Sequence, residues 1–325
     1  MELKAHVFET QLAGRTLRVE IGKMAMLANG SCLVSYGDTV VLVAATASAK
    51  PREGIDFFPL SIDFEEKMYA VGKIPGGFIK REGRLSEKAT LTCRLIDRPI
   101  RPLFPDGYFN EVQVVAQVLS VEQDNTPDIV ALLGASIALS ISDIPFDGPL
   151  AGVIVGYKDG EYIINPTVEQ SATSDLHLVV AGTDDAINMV EAGAKILSEE
   201  VMLQALKTGH AEIMKLTAFI REIVAAVGKP KNIVPELPVN EALDAAIDAY
   251  APRMNELVRI HDKHDRNHGI DTLKAEMTEA LTEAYPEDAS RLKGLLKGLE
   301  KKVMRKMILS EGLRPDGRAS DEIRP

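Results

Sequence analysis

Cysteine and long hydrophobic runs are both scarce in this chain. Its 325 residues include two cysteines, Cys32 and Cys93, which cannot by themselves form a disulfide framework or a zinc site. No apolar run approaches the roughly 18 residues that a membrane-spanning helix needs, and the first residues lack the apolar core of a secretion signal. We therefore expect a cytoplasmic protein with reduced thiols and no membrane association.

Positive charge is also in short supply. The net charge of −11 argues against a general nucleic-acid coat protein. The stretch from Lys67 to Arg101 is the exception, because it holds nine Lys or Arg residues and three acids. A basic island in an acidic chain predicts a local binding site for anions.

The hydrophobic pattern indicates an α+β fold for the first part of the chain. Cys32–Tyr36 and Thr39–Ala45 flank Gly37-Asp38, which predicts a tight hairpin, and the apolar run 40–43 predicts a strand buried on both faces. Further strands and helices follow the same rules. They are strands at 16–21, 111–122, 151–157, 161–164, 176–181 and 187–192, a buried helix capped by Thr126 that runs to about 142, and a long helix from about 198 to 227.

The composition changes near a proline-rich stretch. We predict an α+β core over 1–230, a linker over 231–238 and an all-helical bundle over 239–311, where leucines recur at helical spacing. Residues 312–325 are rich in Pro and Gly and are predicted to enter a further unit.

The most informative motif runs from Lys73 to Arg84. Glycines bracket a basic tip that carries Phe78, so the backbone can approach a ligand closely while the aromatic ring stacks on a base. Lys80, Arg81 and Arg84 would neutralise phosphates. The alternative, a solvated charged hairpin, stays open from the residues alone.

A helix is predicted directly after this loop. Arg94, Arg98 and Arg101 are spaced i, i+4 and i+7, so they share one face if the helix continues past Pro99. Arginine suits bidentate contacts with phosphate. A solvated or internally paired arginine face is the alternative.

Other candidate sites are weaker. His261, His264 and His268 resemble a metal cluster, but their polar surroundings fit a wet helix surface better. The acids at 63, 65 and 66 suggest either a magnesium pair or, better, a salt-bridged sheet rim. The sequence contains no nucleophile elbow, dinucleotide fingerprint or Walker A loop.

Several segments together resemble the bacterial polynucleotide phosphorylase family along the whole chain. They are Asp56–Leu60, Tyr69–Phe78, Arg94–Pro105, Asn110–Val114 and, as the opening of a second core, Arg314–Arg318. The resemblance implies a ribonuclease-PH-like mixed sheet-and-helix core followed by a small all-α bundle. It implies phosphorolytic 3′-to-5′ degradation of single-stranded RNA into nucleoside diphosphates by a ring-shaped homotrimer, with other RNA-degradation factors as further partners.

The resemblance also implies where the functional groups lie. Inorganic phosphate and Mg²⁺ would bind in a second core that this chain does not reach, so no catalytic residue is expected here. The RNA-guiding loop would be Phe78-Ile79-Lys80-Arg81, where the commoner family form is Phe-Phe-Arg-Arg. Arginines near the RNA path carry over to Arg94, Arg98, Arg101 and, more weakly, to Arg314 and Arg318.

Two other functions stay open at this point. The chain would be a non-catalytic RNA-binding ring or scaffold subunit if it were complete. It would be a small-molecule phosphotransferase if the Gly76-Gly77 loop bound nucleotides.

Overall fold

The fold was analysed in a computed structural model, which describes residues 5–52, 54–55, 57–78, 80–234 and 240–324. The chain divides into two compact units, 1–235 and 236–325. The boundary falls inside the linker predicted at 231–238, of which residues 235–238 lie outside the described ranges. No helix in the described ranges is long and apolar enough to cross a bilayer.

The first unit is built on two sheets. The six-stranded sheet has the order β1-β2-β3-β4-β6-β5, and only the β5–β6 pair is parallel. Its strands are β1 (His6–Leu12), β2 (Arg15–Ile21), β3 (Gly30–Tyr36), β4 (Thr39–Ala47), β5 (Leu60–Glu65) and β6 (Val112–Ser120).

The second sheet has four antiparallel strands in the order β10-β9-β7-β8. They are β7 (Ala151–Lys158), β8 (Glu161–Ile164), β9 (Leu176–Gly182) and β10 (Ile187–Ala194). Four helices complete the unit: α1 (Glu87–Ile100), α2 (Pro127–Ile141), α3 (Val168–Thr173) and α4 (Glu199–Val227). The predicted α+β class is confirmed.

Helix α2 forms the centre of the core because it contacts both sheets. Nearly all of its residues are buried, as its apolar composition predicts. Gly134 is required where α2 meets the sheet, since a Cβ there would lie 2.5 Å from the Val43 side chain. Thr126 precedes the helix as predicted, but its side chain makes no capping hydrogen bond.

The β3–β4 hairpin closes at Gly37-Asp38 as predicted, with Tyr36 paired to Thr39. Gly37 has a positive φ of 57°, and a Cβ on it would meet the Asn125 side chain at 2.3 Å, so only glycine fits. The expectation of burial on both faces of β4 is wrong. Val41 and Val43 are fully buried, but the intervening residues are only half-buried because the other face of the sheet is only partly covered.

The second unit is all-helical. Its helices are α5 (Glu241–Asp248), α6 (Ala251–Leu257), α7 (Lys263–Ala284) and α8 (Ala289–Glu311). They enclose a separate core of 13 buried apolar side chains. The segment after α8 packs on this unit, because the Arg266 guanidinium donates to the Pro315 carbonyl at 3.0 Å and Gly317 lies against the His261 ring. In this structure the 312–325 segment therefore belongs with the helical unit.

Candidate nucleic-acid interface

An open cleft of about 1060 Å³ lies beside the end of β5. Its walls are the short 3₁₀ helix Met68–Val71, the loop over residues 72–86, which we call the basic loop, and the first turn of α1. Arg81, Arg84, Lys67 and Lys88 line it together with acidic groups. The structure therefore brings two of the predicted loop cations to one depression.

The base of the basic loop is held at two points. The Met68 carbonyl accepts the Lys73 N–H at 2.9 Å, and the Met68 N–H donates to the Glu82 carboxylate at 3.1 Å. Gly72, with a φ of 69°, turns the chain out of the 3₁₀ helix. Both ends of the excursion over residues 73–82 are therefore hydrogen-bonded to Met68, which closes it at its base.

The tip of the basic loop projects into solvent. Phe78 is fully exposed, and the Lys80 N–H closes a turn on the Gly77 carbonyl at 3.0 Å. Lys80 itself has a positive φ of 54°. Ile79, which stands where the commoner family form has its second phenylalanine, lies outside the described residues.

The basic side chains of the loop have no acidic partner. Lys80, Arg81 and Arg84 are exposed, and within the described ranges none of them forms an ion pair or side-chain hydrogen bond. An unpaired, solvated cation of this kind is ready to contact phosphate without first losing an internal partner.

Helix α1 begins where the basic loop ends. The Ser86 hydroxyl accepts the Ala89 N–H at 2.9 Å as an N-cap and donates to Glu66 at 2.7 Å. Arg94 and Arg98 are exposed on adjacent turns, and neither pairs with any residue that the structure describes. Because a helix rises 1.5 Å per residue, Arg94 lies about 9 Å along α1 from Lys88, and neither Arg94 nor Arg98 is among the residues that line the cleft.

Arg101 differs from the other two arginines. The α-helix ends at Ile100, and Arg101 begins a 3₁₀ turn. Its guanidinium forms a bidentate pair with Asp97, at 2.6 and 2.9 Å, and donates to the carbonyls of Phe58 and Leu60 at 3.2 Å. The interpretation of an internally paired arginine fits Arg101, whereas Arg94 and Arg98 stay available.

The side chains of Arg314 and Arg318 also have partners, which lie in the same segment after α8. Arg314 donates to the carbonyls of Ser320 and Glu322, and Arg318 pairs with Asp316 at 2.8 Å. These contacts fold the segment after α8 on itself, so neither guanidinium is free as the structure stands. Their weaker assignment to the RNA path stays a prediction.

The acidic residues considered as a metal pair form an ion pair and a hydrogen bond within the protein. The Glu65 carboxylate pairs with Lys67 at 2.6 Å, which raises the pKa of Lys67, and Asp63 accepts the Gln113 amide at 2.7 Å. This arrangement is the salt-bridged sheet rim expected from alternation. Within the described ranges, no group of three or more His, Cys, Asp or Glu side chains could hold a metal ion. The histidines at 261, 264 and 268 lie in these ranges and do not form such a group.

Sequence reasoning missed the groups that shape the loop. Glu82 was counted only as a charge and Glu66 was assigned to the sheet rim, yet both are hydrogen-bonded at the base of the basic loop. Hydrogen bonds from its own N–H and from that of Met68 hold the pKa of Glu82 below its usual value. No spacing rule could have identified this contact, because the Met68 partner is a backbone N–H.

Three family models match consecutive parts of the chain. Residues 13–145 and 148–212 match domains 1 and 2 of the 3′ exoribonuclease family. Residues 242–319 match the RNA binding domain of polyribonucleotide nucleotidyltransferase. The two-sheet unit and the helical unit therefore correspond to different models.

Curated relatives match nearly the whole chain. The polyribonucleotide nucleotidyltransferase of Heliobacterium modesticaldum is 55% identical over 320 residues, which is 98% of this chain and 45% of the relative. That of Ruminiclostridium cellulolyticum is 56% identical over 318 residues, again 98% of this chain and 45% of the relative. The chain thus spans slightly less than half the length of these relatives.

A solved structure supports the fold. Rice (Oryza sativa) Rrp46 superposes with a TM-score of 0.50 at 18% identity, covering 68% of this chain and 94% of that chain. This similarity concerns the fold alone. The family models and the relatives show that the chain belongs to the 3′ exoribonuclease family and, within it, to the polyribonucleotide nucleotidyltransferases, of which it represents a part.

Proposed function

We propose that this chain is the RNA-guiding part of a phosphorolytic 3′-to-5′ exoribonuclease that acts in RNA degradation. The observation that carries the proposal is a basic loop and a first helix whose cations have no partner among the described residues, together with a fully exposed Phe78 at the loop tip, in a chain of net charge −11. Single-stranded RNA fits this chemistry, because cations follow the phosphate backbone while an aromatic ring stacks on a base of any sequence. The cations are Lys80, Arg81, Arg84, Arg94 and Arg98.

The names of the relatives support the reaction class. In phosphorolysis, inorganic phosphate attacks the phosphorus of the terminal phosphodiester and the 3′-oxygen of the shortened RNA leaves. The broken phosphodiester bond is replaced by the phosphoanhydride bond of the released nucleoside diphosphate, and this exchange makes the reaction reversible. The enzyme's contribution to such a step is alignment and stabilisation of developing negative charge. The cations of the basic loop and α1 would hold the RNA in line before that step.

Turnover is assigned to the part of the full protein outside this chain. Within the described ranges no group of three or more His, Cys, Asp or Glu side chains could hold a metal ion. Following the family resemblance, the proposal places Mg²⁺ in the part of the full protein outside this chain. Inorganic phosphate is likewise proposed to bind elsewhere. In this view the fragment alone is inactive, and the full protein is a cytoplasmic homotrimer that can engage other RNA-degradation factors.

Charge reversal of the loop tip tests RNA guidance. Exchanging both Lys80 and Arg81 for Glu should weaken binding of a fluorescent single-stranded oligoadenylate. It should also reduce the slope of log affinity against log salt by about 1.4, because roughly 0.7 counterions are released for each phosphate contact on a single strand. Fluorescence anisotropy at several salt concentrations measures both quantities.

The matched control reverses Arg101, which is already paired within the protein. Its exchange for Glu should leave the salt slope close to that of the wild type. An unchanged slope in the Lys80 and Arg81 variant would contradict RNA guidance by the loop.

The second candidate function is a non-catalytic RNA-binding or scaffold subunit. It is favoured by the same exposed Phe78 and unpaired cations of the described residues, which can bind RNA with or without turnover. Phosphate-dependent release of nucleoside diphosphate from labelled poly(A) separates the possibilities. The full-length protein should release it and this fragment should not, and turnover by the fragment would show that the catalytic groups are misplaced.

A further inference from the structure

Glu82 is the only acid inside the basic loop, where it lies beside Arg81 and close to Arg84 in sequence. Elementary electrostatics predicts that such an acid either pairs with these arginines or repels RNA. In both cases its removal would strengthen RNA binding.

The geometry does not show the pairing. The Glu82 carboxylate accepts the N–H of Met68, fourteen residues earlier, and forms no ion pair with Arg81 or Arg84. The Met68 carbonyl in turn accepts the N–H of Lys73. One residue therefore holds both ends of the excursion 73–82.

The contacts of Met68 with Lys73 and Glu82 form the neck of the basic loop, and this neck is attached to the sheet. Met68 begins the 3₁₀ helix Met68–Val71, and the carbonyl of Ala70 in that helix accepts the Val121 N–H at 3.2 Å, just after β6. The closed end of the loop is thus connected by hydrogen bonds to the core, while its tip remains in solvent.

We propose that Glu82 is a positioning residue that closes the neck of the basic loop, so that Lys80 and Arg81 meet RNA phosphates as a preformed unit. The inference rests on the proposed RNA-guiding function and adds a role that charge alone would not assign. A carboxylate satisfied by a backbone N–H leaves the neighbouring cations unpaired, which is the state observed.

Preformation matters because an open loop would lose more conformational freedom on binding. The opposing effect, repulsion between one carboxylate and the RNA, is weakened by solvent and salt at an exposed site. We therefore expect loss of the hydrogen bond to outweigh loss of the negative charge.

Three variants of the 325-residue chain test the role. Glu82→Ala removes both the charge and the acceptor, whereas Glu82→Gln removes the charge and keeps an oxygen acceptor. Glu87→Ala is the matched control, since Glu87 is an exposed acid at the start of α1 that pairs with no residue in the described ranges. The probe is fluorescent single-stranded oligoadenylate, and hydrogen–deuterium exchange of the Met68 and Lys73 amides without RNA reports on the neck.

Glu82→Ala should bind the probe about threefold to tenfold more weakly than the wild type and should exchange both amides faster, because a hydrogen bond to a charged acceptor is lost. Glu82→Gln should stay within about twofold of the wild type in affinity because its side-chain oxygen still accepts. Glu87→Ala should bind as tightly as the wild type or more tightly.

The positioning role is overturned if Glu82→Ala binds as tightly as the wild type, or if Glu82→Gln is as weak as Glu82→Ala. Failure of the RNA-guiding function itself would look different. In that case the charge reversal of Lys80 and Arg81 would leave affinity and salt slope unchanged, while amide exchange would still report whether Glu82 closes the neck.

Discussion

At the scale of single residues, the partner of each arginine decides what it can do. Arg98 and Arg101 are three positions apart and chemically identical, yet only Arg101 reaches Asp97 and the carbonyls of the preceding segment. A guanidinium held by two carbonyls and a carboxylate stabilises the fold and has few donors left for a ligand. The same residue type therefore has two roles within one turn.

This contrast gives a paired prediction for Arg98 and Arg101. Arg101→Ala should lower the free energy of unfolding by about 1 kcal/mol, since it removes a partly exposed charge pair and two hydrogen bonds to carbonyls. Arg98→Ala should change that free energy by less than about 0.5 kcal/mol and should weaken RNA binding instead. Urea unfolding and anisotropy titration measure the two effects, and equal effects of both variants on RNA affinity would contradict the assignment.

At the scale of elements, the end of α2 is fastened by polar groups from distant segments. Asp143 accepts the Asn29 amide at 2.8 Å and the Asn232 amide at 3.3 Å. The Lys231 ammonium donates to the Leu139 and Ser142 carbonyls, at 2.7 and 2.8 Å. The chain after α4 is thereby tied to the C-terminal end of α2, where the helix leaves carbonyls unpaired.

Asp143 predicts a pH dependence of stability. The hydrogen bond from Asn29 is the main cause that lowers the pKa of Asp143, against the opposing effect of burial. Because the folded pKa lies below the unfolded value, the carboxylate stabilises the fold above a pH of about 4, and this contribution disappears as the pH falls through the folded pKa. Asp143→Asn should therefore cost about 1 kcal/mol at neutral pH and progressively less in acid.

Urea unfolding of wild type and variant across this pH range checks the sign. Asp106→Asn is the control, because Asp106 is exposed and its side chain has no hydrogen-bond partner within the described ranges. A difference between wild type and Asp143→Asn that stays constant down to strongly acidic pH would contradict the linkage.

At the scale of the whole molecule, the chain consists of two units with separate cores. The helical unit encloses its own 13 buried apolar side chains, so its stability does not require side chains of the first core. The family models separate the same two regions. A unit with its own core is expected to fold when expressed alone.

Residues 236–325 should therefore show helical circular dichroism and a cooperative unfolding transition in isolation. Leu296→Ala should destabilise this unit by about 3 kcal/mol, because Leu296 is 2% exposed and its removal leaves a cavity. Leu309→Ala, on the same helix but 74% exposed, should have little effect. A non-cooperative transition of the isolated segment would contradict independent folding.

Local patterns in the sequence were sufficient for much of this architecture. The hairpin at Gly37-Asp38, the buried α2 and the leucine stripes of the helical unit follow from turn chemistry and periodicity, which act over a few residues. The basic island and its exposed Phe78 were also visible in composition. Strand β1 was not assigned, and β5 was expected only as a sheet rim at the acids 63, 65 and 66. The parallel pairing of β5 with β6 is a contact that local periodicity does not encode.

Only the tertiary structure decided which charges are free. Arg94, Arg98 and Arg101 share one spacing rule, and Glu82 looks like any acid in a basic loop. Their roles depend on whether a carbonyl or N–H from another segment lies within hydrogen-bonding distance. Side-chain spacing is a property of the local chain, whereas backbone partners are brought into place by packing of the core. The sequence therefore determined where the basic residues lie, and the fold determined which of them have no partner among the described residues.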